Sequence, residues 1–261
     1  MDFAGTAGRA SPLESQLEAK TRDLDWTLAN FTFVANVTTL AATCDIAHSP
    51  GMSVASCRTS PKRGLAFVGE SADLLSTYAT FLADPGSKVS LLVNDEQRQT
   101  VEHAFEVESM VKEWQMLYHG DPSDLAVERA SELVENDVAA IQALARTEKL
   151  SLNLVSEDPL EQGPAFGIWE RRRLVAMGLT TVCLPGAAQI DNVVTRSEYR
   201  RQGYATDVVS ALLLAHLVKG RRVFTLVDQQ NTAAIGLLEK LGFTRERPMY
   251  SMVCVLRVPT G

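Results

Sequence analysis

A chain of 261 residues with 46% hydrophobic and 22% charged side chains can build one large folded core or two modest ones. No apolar run reaches the ~20 residues of a membrane-spanning helix, and the N-terminus lacks the charged-then-apolar order of a signal peptide, so a cytoplasmic protein with no membrane partner is expected. The net charge of −7 lies in the first part: residues 1–123 hold 16 acidic and 9 basic residues, residues 124–261 hold 16 of each, which argues against a nucleic-acid partner there.

In chain order, "SPLESQLEAKTRDLDWTL" predicts a helix with Ser11 as N-cap and Pro12 in the first turn. Residues 48–64, rich in Ser, Pro and Gly, predict a loop. "LAFVG" and "KVSLLVN" predict short buried strands on either side of the helical "SADLLSTYATFLAD". "DEQRQTVEHAF" predicts another helix, and "VKEWQMLYH" a strand with Trp114, Met116 and Tyr118 on one face. The turn signal "YHGDPSD" then marks a boundary, giving expected domains 1–123 and 124–261.

Beyond it, "LAVERAS" (125–131) and "GPAFGIWE" (163–170) predict strands, with Arg171 to Arg173 as a solvated hairpin turn. Residues 173–184 and 187–195 predict a hairpin around Pro185 and Gly186. A helix from Gly203, a strand at 222–228, a helix at 231–241 and a closing hairpin through Val258 complete a mixed α/β sheet. Cysteines 44, 57, 183 and 254 and the four histidines are scattered, so free thiols and no metal are expected.

Chemistry concentrates at "RRQGYATDVVSALLLAHL", Arg200 to Leu217. The helix has an apolar stripe through Ala205, Val208, Val209, Leu212, Leu213 and His216, with His216 expected in the core. Its unpaired N-terminal N–H groups and positive dipole end favour an anion, and Arg200 and Arg201 add charge. Gly203 allows close backbone approach and Ala205 keeps the first turn open, an arrangement that suits a pyrophosphate. On this stretch alone a basic surface turn explains the residues equally well.

The order of elements around it resembles the GNAT superfamily of acetyl-CoA-dependent N-acetyltransferases over residues 124–257. The family's pyrophosphate loop, R/Q-x-x-G-x-G/A, is matched by Arg200, Gly203 and Ala205. Its later N-x-x-A-x-x-x-x-x-K-x-G-F is matched by Asn231, Ala234, Lys240, Gly242 and Phe243. The resemblance implies a mixed central sheet, flanked by helices, in which strands "IDNVVT" and "VFTLVD" splay apart. It implies acetyl-CoA or another acyl-CoA as cosubstrate, with pantetheine on the backbone of Val193, Val194 and Thr195. The pyrophosphate would rest on N–H groups of Arg201, Gln202, Gly203, Tyr204, Ala205 and Thr206, with Asn231 as both N-cap and cofactor contact. The implied activity is direct transfer of an acyl group, expected to be acetyl, to the primary amine of a small molecule or peptide.

Leu238 stands where the family commonly places a tyrosine that protonates the departing thiolate, and it completes an apolar helical stripe. Either the thiolate leaves unassisted or another hydroxyl, Tyr250 or Tyr204, serves. Asp191 is the first candidate base, ahead of Glu198 and Asp228. Residues 1–123 lack the pyrophosphate loop but resemble, in their strand–helix–strand order, a decayed second copy of the fold. They are expected to shape the amine pocket, with Trp114, Met116 and Tyr118 as wall residues. Competing readings are a non-catalytic acyl-CoA sensor, which the missing tyrosine favours, and other acyl-thioester chemistry such as decarboxylation.

Overall fold

The computed structural model describes residues 20, 22–38, 44–49, 51–59, 62–82, 87–152, 158–184 and 186–256. The expected cap at Ser11 and Pro12, Pro185 and Val258 lie outside them. Two compact units are present, one of Met1–Glu113 with Arg247–Gly261 and one of Trp114–Glu246.

In the first unit, α1 (Leu24–Ala29) and α2 (Phe31–Val37) precede β1 (Cys44–Ser49), β2 (Met52–Thr59) and β3 (Lys62–Gly69). Then follow α3 (Ala72–Leu82), β4 (Lys88–Asn94), α4 (Asp95–Ala104) and β5 (Phe105–Tyr118), which crosses the unit boundary. The hairpin β1–β2 and the pair β2–β3 are antiparallel, whereas β3 and β4 are parallel. Asn94 caps α4 by a reciprocal capping box with Gln97. Gln97 also donates to the Phe67 carbonyl at 2.8 Å, fixing α4 against β3. Val54, Phe67, Leu75, Val89 and Val101 fill this unit's core.

The second unit opens with a turn of 3-10 helix at Pro122–Asp124, a short β6 (Ser131–Glu132) and α5 (Val138–Thr147). The antiparallel run β7 (Ala165–Glu170), β8 (Arg173–Leu184) and β9 (Ala187–Thr195) follows. Next come α6 (Tyr204–Leu217), β10 (Arg222–Asp228), α7 (Thr232–Lys240) and the start of β11 (Phe243–Leu256). Val208, Val209, Leu212 and Leu213 of α6 are fully buried, and burial of such side chains stabilises by roughly 1.5–3 kcal/mol each.

Both units run through the same succession: three antiparallel strands, a helix, a strand parallel to the third, and a helix. In the second unit the parallel pair joins at Arg222↔Ala187, Val223↔Ala188 and Phe224↔Gln189 and then stops. From Ile190 and Thr225 onward the two strands part, as the resemblance implies. The strand beside β4 is not β5, which follows α4 in the chain, but residues Met249–Val255 of β11. The strand beside β10 is β5.

Several expectations are corrected. Residues 48–64 hold the end of β1, all of β2 and the start of β3 rather than a loop, because Met52 through Cys57 are buried on both faces. Residues 125–130 are turn and irregular backbone, and only Ser131–Glu132 extends as strand. Helix α5, with Ile141, Leu144 and Ala145 inward, is an addition. The closing segment is one long strand, which belongs to the first unit from Arg247 onward. Cys44 and Cys57 oppose each other across the β1–β2 hairpin and form a disulfide, while Cys183 and Cys254 are free. Among the described residues, no helix is long and apolar enough to cross a membrane.

Candidate functional site

The site assembles where β9 leaves β10 and the chain turns into α6. The β8–β9 register shifts between Met177 and Leu179, opposite Asp191 to Val194, so β9 carries an extra residue there. Asn192 takes up the distortion with φ of 54°, a conformation asparagine tolerates better than most residues. Beyond the bulge, Val194 and Thr195 pair with β8 at Met177 and Ala176, leaving the side of β9 that faces the gap without a strand partner. Val193 is exposed there.

Asp191 sits at the bulge, its Oδ1 accepting the Asn192 N–H at 2.7 Å. Burial pushes its carboxyl up to about 6, with only that hydrogen bond opposing. A carboxylate poised near neutrality is suited to accept a proton. The other carboxylates are otherwise engaged. Glu198 is exposed and paired with Arg173, and Asp228 bonds the Gln230 N–H within a turn.

The loop from Thr195 to α6 is braced by Arg200, whose Nε donates to the Thr195 carbonyl at 3.1 Å and whose Nη2 meets Glu148 at 2.7 Å. Glu148, at the end of α5, also accepts the Ser197 N–H. The charge of Arg200 is thus committed within the protein, whereas the Arg201 guanidinium has no ion pair among the described residues. Gly203 is the N-cap of α6 with φ of 83° and provides no side-chain cap, so the first-turn N–H groups of Tyr204, Ala205 and Thr206 keep no intrahelical or capping partner. A Cβ at Gly203 would lie 2.9 Å from Nη2 of Arg129.

Arg129 is the residue that sequence reasoning missed. Its Nε donates to Asp207 in the first turn of α6, and its Nη1 donates to the Gln202 carbonyl at 3.1 Å. The guanidinium lies over the Tyr204 ring, 4.8 Å from the centroid. Tyr204 donates its hydroxyl to Glu170 at 2.9 Å, and that bond raises the phenol's pKa.

Asn231 caps α7 by accepting the Ala234 N–H at 3.1 Å. Leu238 is a core side chain, as its stripe suggests. His216 is wholly buried. Thr180 must donate its hydroxyl to the Pro164 carbonyl, so His216 Nε2–H donates to Thr180, at 2.8 Å. Burial lowers its pKa to about 4. Met116 and Tyr118 are buried core rather than pocket wall, and Trp114 is half-buried against the same cluster. Tyr250 belongs to the first unit, donating its hydroxyl to Asp95 at 2.9 Å, with its pKa raised mainly by burial.

The matching turn of the first unit, β3 into α3, has different chemistry. Its helix carries Asp73 in the first turn, and Ser71 Oγ accepts the Leu74 N–H at 3.3 Å. A Cβ at Gly69 would collide with the Gly51 carbonyl of the β1–β2 turn. Capped by Ser71 and closed over Gly69, this turn leaves no open cradle for an anion.

Residues 165–251 match the FR47-like protein family. No curated protein matches the chain in sequence. Among solved structures, the fold is similar to that of a GNAT-family protein from Novosphingobium aromaticivorans, with TM-score 0.68 and 18% identity over 88% of this chain and 99% of that one. A GCN5-related N-acetyltransferase from Kribbella flavida gives TM-score 0.61 at 15% identity, covering 89% and 96%. A tandem GNAT protein from the clavulanic acid biosynthesis pathway gives TM-score 0.57 at 12% identity, covering 81% and 80%.

Proposed function

We propose that this chain, which has the GNAT fold, binds acetyl-CoA in its second unit and transfers the acetyl group to a primary amine. The observation that carries the reading is the coincidence of two openings. The parallel pair β9–β10 parts after three residue pairs, and the loop leaving β9 ends in a helix with an uncapped N-terminus at a positive-φ glycine. These residues fit the group. Gly203 leaves a backbone cradle that a side chain would fill, and the dipole end of α6 with Arg201 favours a diphosphate. The unpaired side of β9 at Val193, Val194 and Thr195 offers amide groups to an extended pantetheine arm.

When bound, the thioester supplies an activated acyl group. The protein's part is to orient that group beside the bulge of β9, where a backbone N–H can stabilise charge developing on the carbonyl oxygen. Asp191 takes the amine's proton, directly or through water, its buried carboxyl being matched to that task. Glu170 engages the hydroxyl of Tyr204, and Asp95 that of Tyr250, so neither phenol stands free to protonate the thiolate. Unassisted departure of the thiolate is the simplest route. Thiol release from acetyl-CoA across a panel of primary amines tests the proposal, and calorimetric binding without turnover on any amine would favour the sensor reading.

A further inference from the structure

We propose that Arg129, from outside the sequence motif, is a direct ligand for the diphosphate of the cosubstrate; this rests on the acetyl-CoA reading of the same loop. Three contacts fix its guanidinium: Nε on Asp207, Nη1 on the Gln202 carbonyl and the face on Tyr204. Tyr204 is in turn held by Glu170, so the platform is itself anchored. Nη2 makes no hydrogen bond among the described residues and stands over Gly203, at the mouth of the loop. A planar donor held on two edges with its third nitrogen directed over an anion cradle is organised for a phosphate oxygen before the ligand arrives.

The arrangement also resolves an electrostatic problem. Asp207 places a nearly buried carboxylate in the first turn of α6, where it opposes an incoming anion. Arg129 neutralises it. Arg200 lacks the freedom to do so, being committed to Glu148 and Thr195. The loop therefore meets one arginine that braces, one without an ion pair among the described residues, and one from a distant turn that cancels an acid and presents a donor.

The test is acetyl-CoA affinity by calorimetry for the parent, Arg129→Ala, Arg129→Lys and Asp207→Asn, with thermal unfolding of each. Arg129→Ala is expected to weaken binding about 10- to 100-fold, the scale of one charge-assisted hydrogen bond plus an exposed acid. Asp207→Asn is expected to bind as tightly as the parent or tighter. A purely structural ion pair predicts instead that both variants weaken alike, and that result overturns the inference. If Arg129→Ala does not fold, Arg129→Lys decides, since it keeps the charge and loses the fork. Several-fold weaker binding at the parental melting temperature supports the inference, and parental affinity overturns it. A parent that binds no acetyl-CoA overturns the site reading itself, and this inference with it.

Discussion

Replacing Asp191 by Asn is expected to stabilise the second unit at neutral pH while removing the base. The folded-state pKa of about 6 lies above the ordinary carboxylate value of 3.8, so between those limits the folded protein holds a proton that the unfolded chain has released. The stabilising contribution of this group is present at low pH and is lost as pH rises from about 4 through 6. Above that window the ionised carboxylate remains buried, at a cost of at most about 3 kcal/mol, two units at 1.36 kcal/mol each. Asparagine keeps an oxygen for the Asn192 N–H and has no charge to bury. Urea midpoints of parent and variant at pH 4, 5, 6, 7 and 8 measure the difference, resolved by unit because a two-unit chain need not unfold in one step. The variant is expected to gain progressively from about pH 4 and level off above 6, with thiol release falling by about 10²-fold or more. Stability differences that do not change with pH would refute the buried-carboxylate argument, and an unchanged rate would remove Asp191 from the chemistry.

His216 has the opposite sign. Its pKa of about 4 lies below the unfolded value of 6.5, so stability falls as pH drops through that range, and His216→Gln should lessen the acid sensitivity seen in thermal melts. Gly203→Glu should abolish acetyl-CoA binding in calorimetry, because the side chain enters the cradle against Arg129 and repels the diphosphate; its φ strain of about 1 kcal/mol leaves the fold intact by circular dichroism. Arg201→Ala should flatten the salt dependence of acetyl-CoA affinity, whereas Arg200→Ala should act chiefly by lowering the melting temperature, since it leaves the nearly buried Glu148 carboxylate without its charged partner.

Much of the second unit is legible because its signals are local. The β8–β9 hairpin, α6 with its glycine cap, β10 and α7 each declare themselves by periodicity or a turn within their own residues. Helix α5 is equally marked in the sequence, since Ile141, Leu144 and Ala145 recur at helical spacing. The rest depended on pairings that sequence order conceals. Serines, proline and glycine between 48 and 64 predict a loop by propensity, but burial in a sheet overrides propensity. The facing of Cys44 and Cys57 follows only once β1 and β2 are in register. Arg129 carries no local mark, because Asp207 lies 78 residues away and Gln202 lies 73 residues away.

The pairing of β4 with β11 bears on how the chain is synthesised. Tyr250, in the strand that covers β4, is separated by 155 residues from Asp95, the residue that follows β4. At roughly 5–20 residues per second, the ribosome takes about 8–30 s to deliver that cover after β4 has emerged. Throughout that interval the apolar Val89, Leu91 and Val93 lie on an edge awaiting its native neighbour, exposed to other nascent strands. A nonsense mutation between codons 95 and 247 leaves that edge without its partner permanently, so the truncated product lacks part of its first unit although every residue N-terminal to the stop is intact. For the same reason, expressing the first 123 residues alone yields a sheet with an open seam, and a fragment of that half needs residues 247–256 grafted or supplied in trans to close it.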